Sequence, residues 1–451
     1  SLTGLPAGYT NSDVAAYLAG TPTGAVNLAG SSAVVLPTGS SDPGGTRTAG
    51  ELFYNTTNGV FKYNDGSDWI KISAELATLS SISGTIYNTV ASNITLTGTG
   101  FLISSCVVTF TVGGTDYTVT KTADNDTTIS AVAVPAGVYN SAGGTSVSIT
   151  VTNIDGSTSQ AVSTTIIGLP AGGTITTSGG YRIHTFTSSG TLATPAGFSS
   201  SVEYLLVGGG GGGGSGCCGT TQGEAGGGGA GGMLTGTSSV SASTNYTITV
   251  GSGAAGAVAD TQSNGSDGGN TTGLGLTAIG GGGGGGRGTP GGVLIGRPGG
   301  SGGGGGQRDN NTQVSYGAGT SGQGNNGGQG SYSTSGASSS GGGGGGGKSA
   351  VGADAPDNNG TIGGNGGAGA TSSISGSSVA YAGGGGGSAG DGGTRGVGGT
   401  GGGGSGLSAG SNNTTPGTAN TGGGGGGGGG SSPGTPGGAG GSGIAIIRYS
   451  V

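Results

Sequence analysis

The sequence predicts a mainly β chain that ends in polyglycine II helices: a small β-meander, a β-sandwich, then a packed bundle of glycine helices capped by a small sheet. Three observations carry this. Glycine supplies 126 of 451 residues, gathered between 208 and 443 in unbroken runs such as 208–214, 280–286, 341–347 and 422–430. Two apolar runs bracket them, Val202-Glu203-Tyr204-Leu205-Leu206-Val207 before and Ile444-Ala445-Ile446-Ile447-Arg448-Tyr449 after. Between 75 and 168, apolar residues alternate with Ser and Thr at the period of two that marks strands.

Residues 1–30 are mostly turn-like, and Asn11 or Ser12 offers a cap for a short helix through Val14, Ala15, Tyr17 and Leu18. This segment is expected to serve attachment or oligomer contact; a disordered leader is the competing reading. In residues 31–74, Leu52-Phe53-Tyr54, Val60-Phe61-Lys62-Tyr63 and Trp69-Ile70-Lys71-Ile72 are separated by the turn signals Asn55-Thr56-Thr57-Asn58-Gly59 and Asn64-Asp65-Gly66-Ser67-Asp68. A three-strand meander follows. So small a sheet is marginal alone, so it is expected to pack against copies of itself. Val34-Val35-Leu36-Pro37-Thr38-Gly39, then Gly50-Glu51-Leu52-Phe53-Tyr54-Asn55-Thr56, then Trp69, resembles a segment common in phage tail fibres and other virion appendages. That resemblance implies a trimer and contacts to other appendage proteins through residues 1–74.

Residues 75–168 hold Ile94-Thr95-Leu96-Thr97, Val107-Val108-Thr109-Phe110-Thr111-Val112, Tyr117-Thr118-Val119-Thr120, 129–134, Val147-Ser148-Ile149-Thr150-Val151 and 161–167. About seven short strands at regular spacing read as a sandwich. Leu79-Ser80-Ser81-Ile82-Ser83-Gly84 and 94–101 resemble the IPT/TIG class of immunoglobulin-like domains, which implies a rigid spacer, with carbohydrate binding as a lesser role.

Residues 169–451 form the last unit. Glycine gives up the most backbone freedom on folding, at roughly 1–2 kcal/mol per ordered residue, and a bare run brings no side chain to offset it. A flexible linker is one reading, but a linker joins two bodies and only a strand-like tail follows this one. Collagen needs glycine at every third position, whereas here whole runs are glycine. Left-handed helices of three residues per turn, packed side by side, remain. At a net ~1 kcal/mol per hydrogen bond, only a lattice of many helices can compensate the entropy. Tyr181-Arg182-Ile183-His184-Thr185-Phe186 in the segment 181–207, with 246–250 and 444–449, is expected to make a four-strand cap at the base.

Leu205-Leu206-Val207 before seven glycines, Asn245-Tyr246-Thr247-Ile248-Thr249-Val250-Gly251, and the close Gly441-Ser442-Gly443-Ile444-Ala445-Ile446-Ile447-Arg448-Tyr449 resemble the glycine-rich domain of bacteriophage tail-fibre adhesins. The resemblance implies a sandwich of polyglycine helices whose far-tip loops contact a receptor on the bacterial surface.

Glycine runs at 208–214, 226–232, 280–286, 302–306, 341–347, 363–369, 383–387, 401–404, 422–430 and 437–443 make ten. If consecutive runs alternate in direction, an even number brings the bracketing strands together. By this parity the far tip carries 215–225, 287–301, 348–362, 388–400 and 431–436, with Arg287, Arg297, Lys348, Asp354, Asp357, Asp391 and Arg395 as candidate receptor contacts. Tyr316 and Tyr332 fall at the base, yet stay candidates of second rank: a hidden helix within 317–330 would reverse the parity downstream of it, and aromatic residues anchor sugar or protein surfaces.

Net charge is −7 and charged residues are only 6%, which argues against nucleic acid or an anionic membrane surface as partner. No membrane-spanning run or signal peptide is present; a Ser at position 1 is what a processed or cut chain shows, so this carries little weight. Three cysteines, Cys106 and the adjacent Cys217 and Cys218, make a poor disulfide framework and suit free thiols in a chain made in the host cytoplasm. Gly342 to Gly347 followed by Lys348-Ser349 formally matches a phosphate-binding loop but lacks its flanking strand and helix. His184 is the single histidine, which excludes a His-based triad or a multi-histidine metal site within one chain; three coaxial copies in a trimer could still share a metal. Asp65 and Asp68 fit a hairpin turn.

No catalytic residue, metal or cofactor is therefore expected. The expected function is a non-enzymatic virion fibre adhesin, binding a surface polysaccharide or outer-membrane protein during host attachment. The alternatives are a structural capsid or tail decoration, and a surface-polysaccharide depolymerase.

Overall fold

The computed structural model describes residues 38–40, 44, 51–55, 60–64, 67, 69–71, 76–103, 105–154, 156–216, 223–287, 295–307, 315–332, 340–356, 362–390, 392–407, 414–429 and 434–451. The helix expected after Asn11, the cysteines Cys217 and Cys218, and Asp65, Asp68, Asp357 and Asp391 lie outside these residues.

The chain is mainly β. Strands β1 (Thr38–Gly39), β2 (Leu52–Asn55), β3 (Val60–Asn64) and β4 (Trp69–Lys71) form one sheet in that order. The antiparallel part, β2-β3-β4, is the expected meander; β1 adds a parallel strand, with Thr38 opposite Tyr54. Two residues are too few to show any alternation.

The sandwich consists of β5 (Thr78–Ser83), β6 (Asn93–Thr99), β7 (Ser105–Val112), β8 (Thr115–Thr122), β9 (Thr128–Ala133), the single-turn helix α1 (Ala136–Tyr139), β10 (Ser146–Thr152) and β11 (Val162–Thr165). Sheets β5-β6-β9 and β11-β10-β7-β8 enclose one apolar core. Alternation decides which side chains enter it. Cys106, Val108, Phe110 and Val112 of β7 and Val147, Ile149 and Val151 of β10 are all buried, while their strand neighbours are partly or fully exposed. The Cys106 thiol, in no disulfide, donates to Asn153 Oδ1 at 3.4 Å; Asn153 Nδ2 in turn donates to Gly100 O at 2.8 Å, tying the turn after β6 to the end of β10. The sandwich joins the last unit through Ile167, whose N–H donates to Ile86 O at 2.8 Å, and Leu169, whose N–H donates to Asn88 Oδ1 at 2.9 Å.

The cap differs from expectation. Strands β12 (Thr174–Ser178), β13 (Tyr181–Phe186), β15 (Ser200–Val207), β16 (Met233–Val240) and β22 (Ile444–Ser450) make a five-stranded antiparallel sheet in the order β12-β13-β22-β15-β16. The Tyr246 segment is not in it: β17 (Thr244–Ile248) pairs with β14 (Gly190–Thr194) as a separate ribbon. Two short hairpins complete the elements: β18 (Thr271–Gly273) with β19 (Leu276–Ala278), and β20 (Ala370–Ser372) with β21 (Val379–Tyr381). The five-stranded sheet is covered on both faces. Ile183, Leu205, Val207, Met233, Ile444 and Ile446 share one core; Phe186, Val202, Leu206, Ala445, Ile447 and Tyr449 share the other. Burial on both faces is why 444–447 reads as an unbroken apolar run.

Beyond Val207 the sheet turns into a lattice without a break in pairing. Val207 stands opposite both Met233 and Ile444; the next residues continue as Gly208 N–H to Gly232 O (2.9 Å) and Gly210 N–H to Gly441 O (2.8 Å). Along 208–216 the donors rotate among three neighbours with a period of three. Gly208, Gly211 and Gly214 donate to Gly232, Gly229 and Gly226; Gly209, Gly212 and Ser215 to Gly269, Ser266 and Ser263; Gly210 and Gly213 to Gly441 and Gly438. Its carbonyls accept in the same rotation from Ala254 and Ala257, from Gly281 and Gly284, and from Gly425 and Gly428. One run thus bonds to six others. Period three with negative φ throughout 208–216 is the left-handed polyglycine II helix.

Candidate functional site

The lattice has two ends. Consecutive runs alternate in direction, as expected, but there are more of them than the ten expected. Segments of mixed composition at 251–258, 263–270, 295–300, 315–319, 324–332, 350–356, 394–400 and 414–419 are runs too, each tied laterally into the lattice. Composition sorts with depth. The runs 208–214, 226–232, 280–286, 302–306, 341–347, 383–387 and 422–429, all glycine but for Ala230, are buried, and a methyl on Gly211, Gly228, Gly345 or Gly385 would overlap a neighbouring carbonyl oxygen. The mixed runs lie on the perimeter and turn side chains outward, leaving Val258, Val351 and Val397 exposed.

On the perimeter, side-chain oxygens take the place of missing carbonyls. Along 263–270, Asn264, Asp267 and Asn270, spaced by three, accept through Oδ1 the N–H groups of Gly286, Gly283 and Gly280 at 3.0, 2.9 and 2.8 Å. Asn326 does the same for Gly319 (2.9 Å), Asp354 for Gln329 (2.6 Å) and Asn365 for Val397 (2.8 Å).

The hidden runs overturn part of the expected parity. Lys348 lies at the base: its N–H donates to Ala382 O at 2.9 Å, its Nζ to Gly322 O at 2.6 Å, and burial lowers its pKa below the usual lysine value. Ser301 and Thr400 are also at the base, whereas Tyr316 and Tyr332 belong to runs 315–319 and 324–332 that begin and end at the tip. Two runs hide where 317–330 allowed for one. The run expected at 401–404 starts instead with a turn, because Gly401 and Gly402 take φ of +96° and +95°, a region that favours glycine.

At the tip the bundle ends in a buried polar layer made by Ser215, Glu224, Arg287, Gln307, Ser331, Ser340, Ser388 and Thr435. Hydroxyls finish the pairing there: Ser388 Oγ accepts from Ala225 N at 2.8 Å and Ser331 Oγ from Gly341 N at 2.7 Å. Arg287, expected as a contact, is 5% exposed and lays its side chain over Gly223. Arg297 lies on the flank, with Nη2 2.7 Å from Asp267 Oδ2. Asp354 is exposed but engaged with Gln329; Arg395 is exposed beside the bridge of Ile362 to Thr394; Tyr316 is exposed and Tyr332 half-buried. The described runs that stop at Gly216, Arg287, Gln307, Tyr332, Pro356, Leu407 and Gly429 all stop at this same end.

Other chemistry is used up structurally. The N–H groups of Gly342 to Gly347 donate to Ser388, Gly305, Ala353, Gly385, Gly302 and Ala350, so the phosphate-loop match has no donors to spare. His184 is fully buried, with Nδ1 2.8 Å from Gly172 O and Nε2 3.2 Å from Tyr449 Oη; desolvation is the main cause lowering its pKa. A metal shared by coaxial copies through this residue is incompatible with that burial. Among the described residues no three His, Cys, Asp or Glu groups cluster as metal ligands, and no helix is long and apolar enough to cross a membrane.

A β cap rooting a three-fold hydrogen-bonded glycine lattice defines the class: a glycine-helix bundle built within one chain. Comparison with family models agrees, since the family described as "Glycine-rich domain" matches residues 185–450, and the chain belongs to that family. No curated protein matches the sequence.

Proposed function

We propose that this protein is a virion fibre adhesin that binds a bacterial surface receptor through the tip of its glycine lattice. Supporting the reading above all is the two-ended construction: the described runs that stop at Gly216, Arg287, Gln307, Tyr332, Pro356, Leu407 and Gly429 all stop at the end opposite the cap. A rigid lattice there would hold the tip at a fixed distance from the particle. Residues 1–74 would attach and trimerise, and the sandwich, by its IPT/TIG resemblance, would act as a spacer. Repetition on several copies would let weak contacts add through effective concentration. Arg395, Tyr316 and Tyr332, together with Asp357 and Asp391, are the contact candidates this reading keeps.

The test replaces 288–294 and 333–339 by Gly/Ser of equal length in assembled particles and scores host adsorption. Loss of adsorption with normal assembly is expected. Unchanged adsorption would favour decoration, and reducing sugar released from purified envelope by the intact protein would favour a depolymerase.

A further inference from the structure

The perimeter runs carry three Asn-Gly pairs, Asn264-Gly265, Asn326-Gly327 and Asn365-Gly366, and all three are held in the same way. In each, Asn Oδ1 accepts an N–H from a neighbouring run while the following glycine donates its own N–H to a carbonyl of that same run. Asn264 and Gly265 grip Gly286 N (3.0 Å) and Gly284 O (2.9 Å). Asn326 and Gly327 grip Gly319 N (2.9 Å) and Gly317 O (3.1 Å). Asn365 and Gly366 both grip Val397, at its N (2.8 Å) and its O (2.8 Å).

Asn-Gly is the dipeptide most prone to deamidation. The glycine nitrogen, on losing its proton, attacks Asn Cγ; the Cγ–Nδ2 bond breaks and ammonia leaves, closing a succinimide. Water then opens one of the two ring carbonyls, giving Asp or isoaspartate. Neither step needs an oxidant or a cofactor. In the lattice the attacking nitrogen gives its proton to a carbonyl of the neighbouring run, and the same run holds the amide under attack through Oδ1, so the nitrogen cannot be freed for attack until that contact opens.

We infer that Asn264, Asn326 and Asn365 are deamidation sites that the lattice shields and that unfolding exposes, with an outcome that depends on the product. Asp keeps Oδ1 as a lattice acceptor. Isoaspartate routes the main chain through Cβ, adding a backbone atom and shifting every later donor in the run off the period of three. A chain that has formed isoaspartate at these sites no longer rebuilds its lattice.

The experiment incubates the full chain at pH 8.5 and 37 °C, native and in guanidinium, and follows each site by peptide mass spectrometry and by isoaspartate-specific methyl transfer. Native conversion should be about a hundredfold slower or more, tracking the population of locally opened chains. After dilution from guanidinium, the fraction that refolds should hold Asp but be depleted of isoaspartate at 264, 326 and 365. Equal rates in the two states would overturn the shielding. Isoaspartate retained in the refolded fraction at its starting level would overturn the product dependence. If no chain refolds even without ageing, the comparison of rates alone decides.

Discussion

Asp267 Oδ1 accepts the N–H of Gly283 at 2.9 Å, in the place that the period of three reserves for a main-chain carbonyl. The other oxygen of the same carboxylate holds Arg297 at 2.7 Å, with both side chains well exposed at 50% and 39%. These two roles separate under substitution. Asp267→Ala leaves a buried N–H unpaired and should cost about 1–3 kcal/mol. Asp267→Asn keeps the acceptor and loses only an exposed ion pair, so it should cost under about 1 kcal/mol. Guanidinium denaturation measures both; equal losses would mean that the ion pair, and not the acceptor, is what matters.

Depth in the lattice should set tolerance to a methyl group. Gly228→Ala puts Cβ into the carbonyl of Gly211 and should cost about 3 kcal/mol or more, whereas Val351→Ala, at a position 60% exposed, should stay within about 0.5 kcal/mol. Comparable denaturation midpoints for the two variants would contradict the separation of interior and perimeter.

Arg287 and Gly223 should be coupled, since a methyl on Gly223 meets the Arg287 side chain. Gly223→Ala should destabilise by about 1–3 kcal/mol, and adding Arg287→Ala should remove part of that penalty, leaving an interaction energy of about 0.5–3 kcal/mol in the double-mutant cycle. Strict additivity would show that Arg287 moves aside freely.

His184 should make the cap sensitive to acid. Desolvation lowers its pKa, aided by the charge of Arg182 and opposed by the hydrogen bond to Gly172 O, so the unfolded chain binds the proton more readily. Its contribution is therefore complete above the unfolded pKa of about 6.5 and is lost as pH falls toward the folded value. Thermal midpoints measured from pH 8 to pH 5 should fall more steeply in the wild type than in His184→Gln; parallel curves would remove this residue from the pH dependence.

Side-chain content decided how much was legible. Seven bare glycines admit one packed environment, so 208–214 and 341–347 stand out as interior runs. A perimeter run such as 263–270, Ser-Asn-Gly-Ser-Asp-Gly-Gly-Asn, has the composition of an ordinary loop. Its signal is the Asn or Asp at every third position, whose oxygens face inward; the runs 295–300 and 315–319 carry no such mark, and passing over the first of them reverses the end assigned to Lys348, Tyr316 and Tyr332. The sandwich was readable because β7 and β10 bury alternate residues. In the cap, β22 announced itself by burial on both faces, but β16 did not: Thr235, Gly236 and Thr237 are exposed, so Met233 and Leu234 at one end and Val240 at the other are the apolar residues of an otherwise polar strand.

The junction at Val207 has a mechanical consequence. A pull on the tip is delivered along the axes of the rods, and the hydrogen bonds between rods lie across that direction. Separating one rod from its six neighbours then means shearing a whole column of bonds together instead of peeling them off one by one, and the force passes into β15 and β22 through pairing that continues in step.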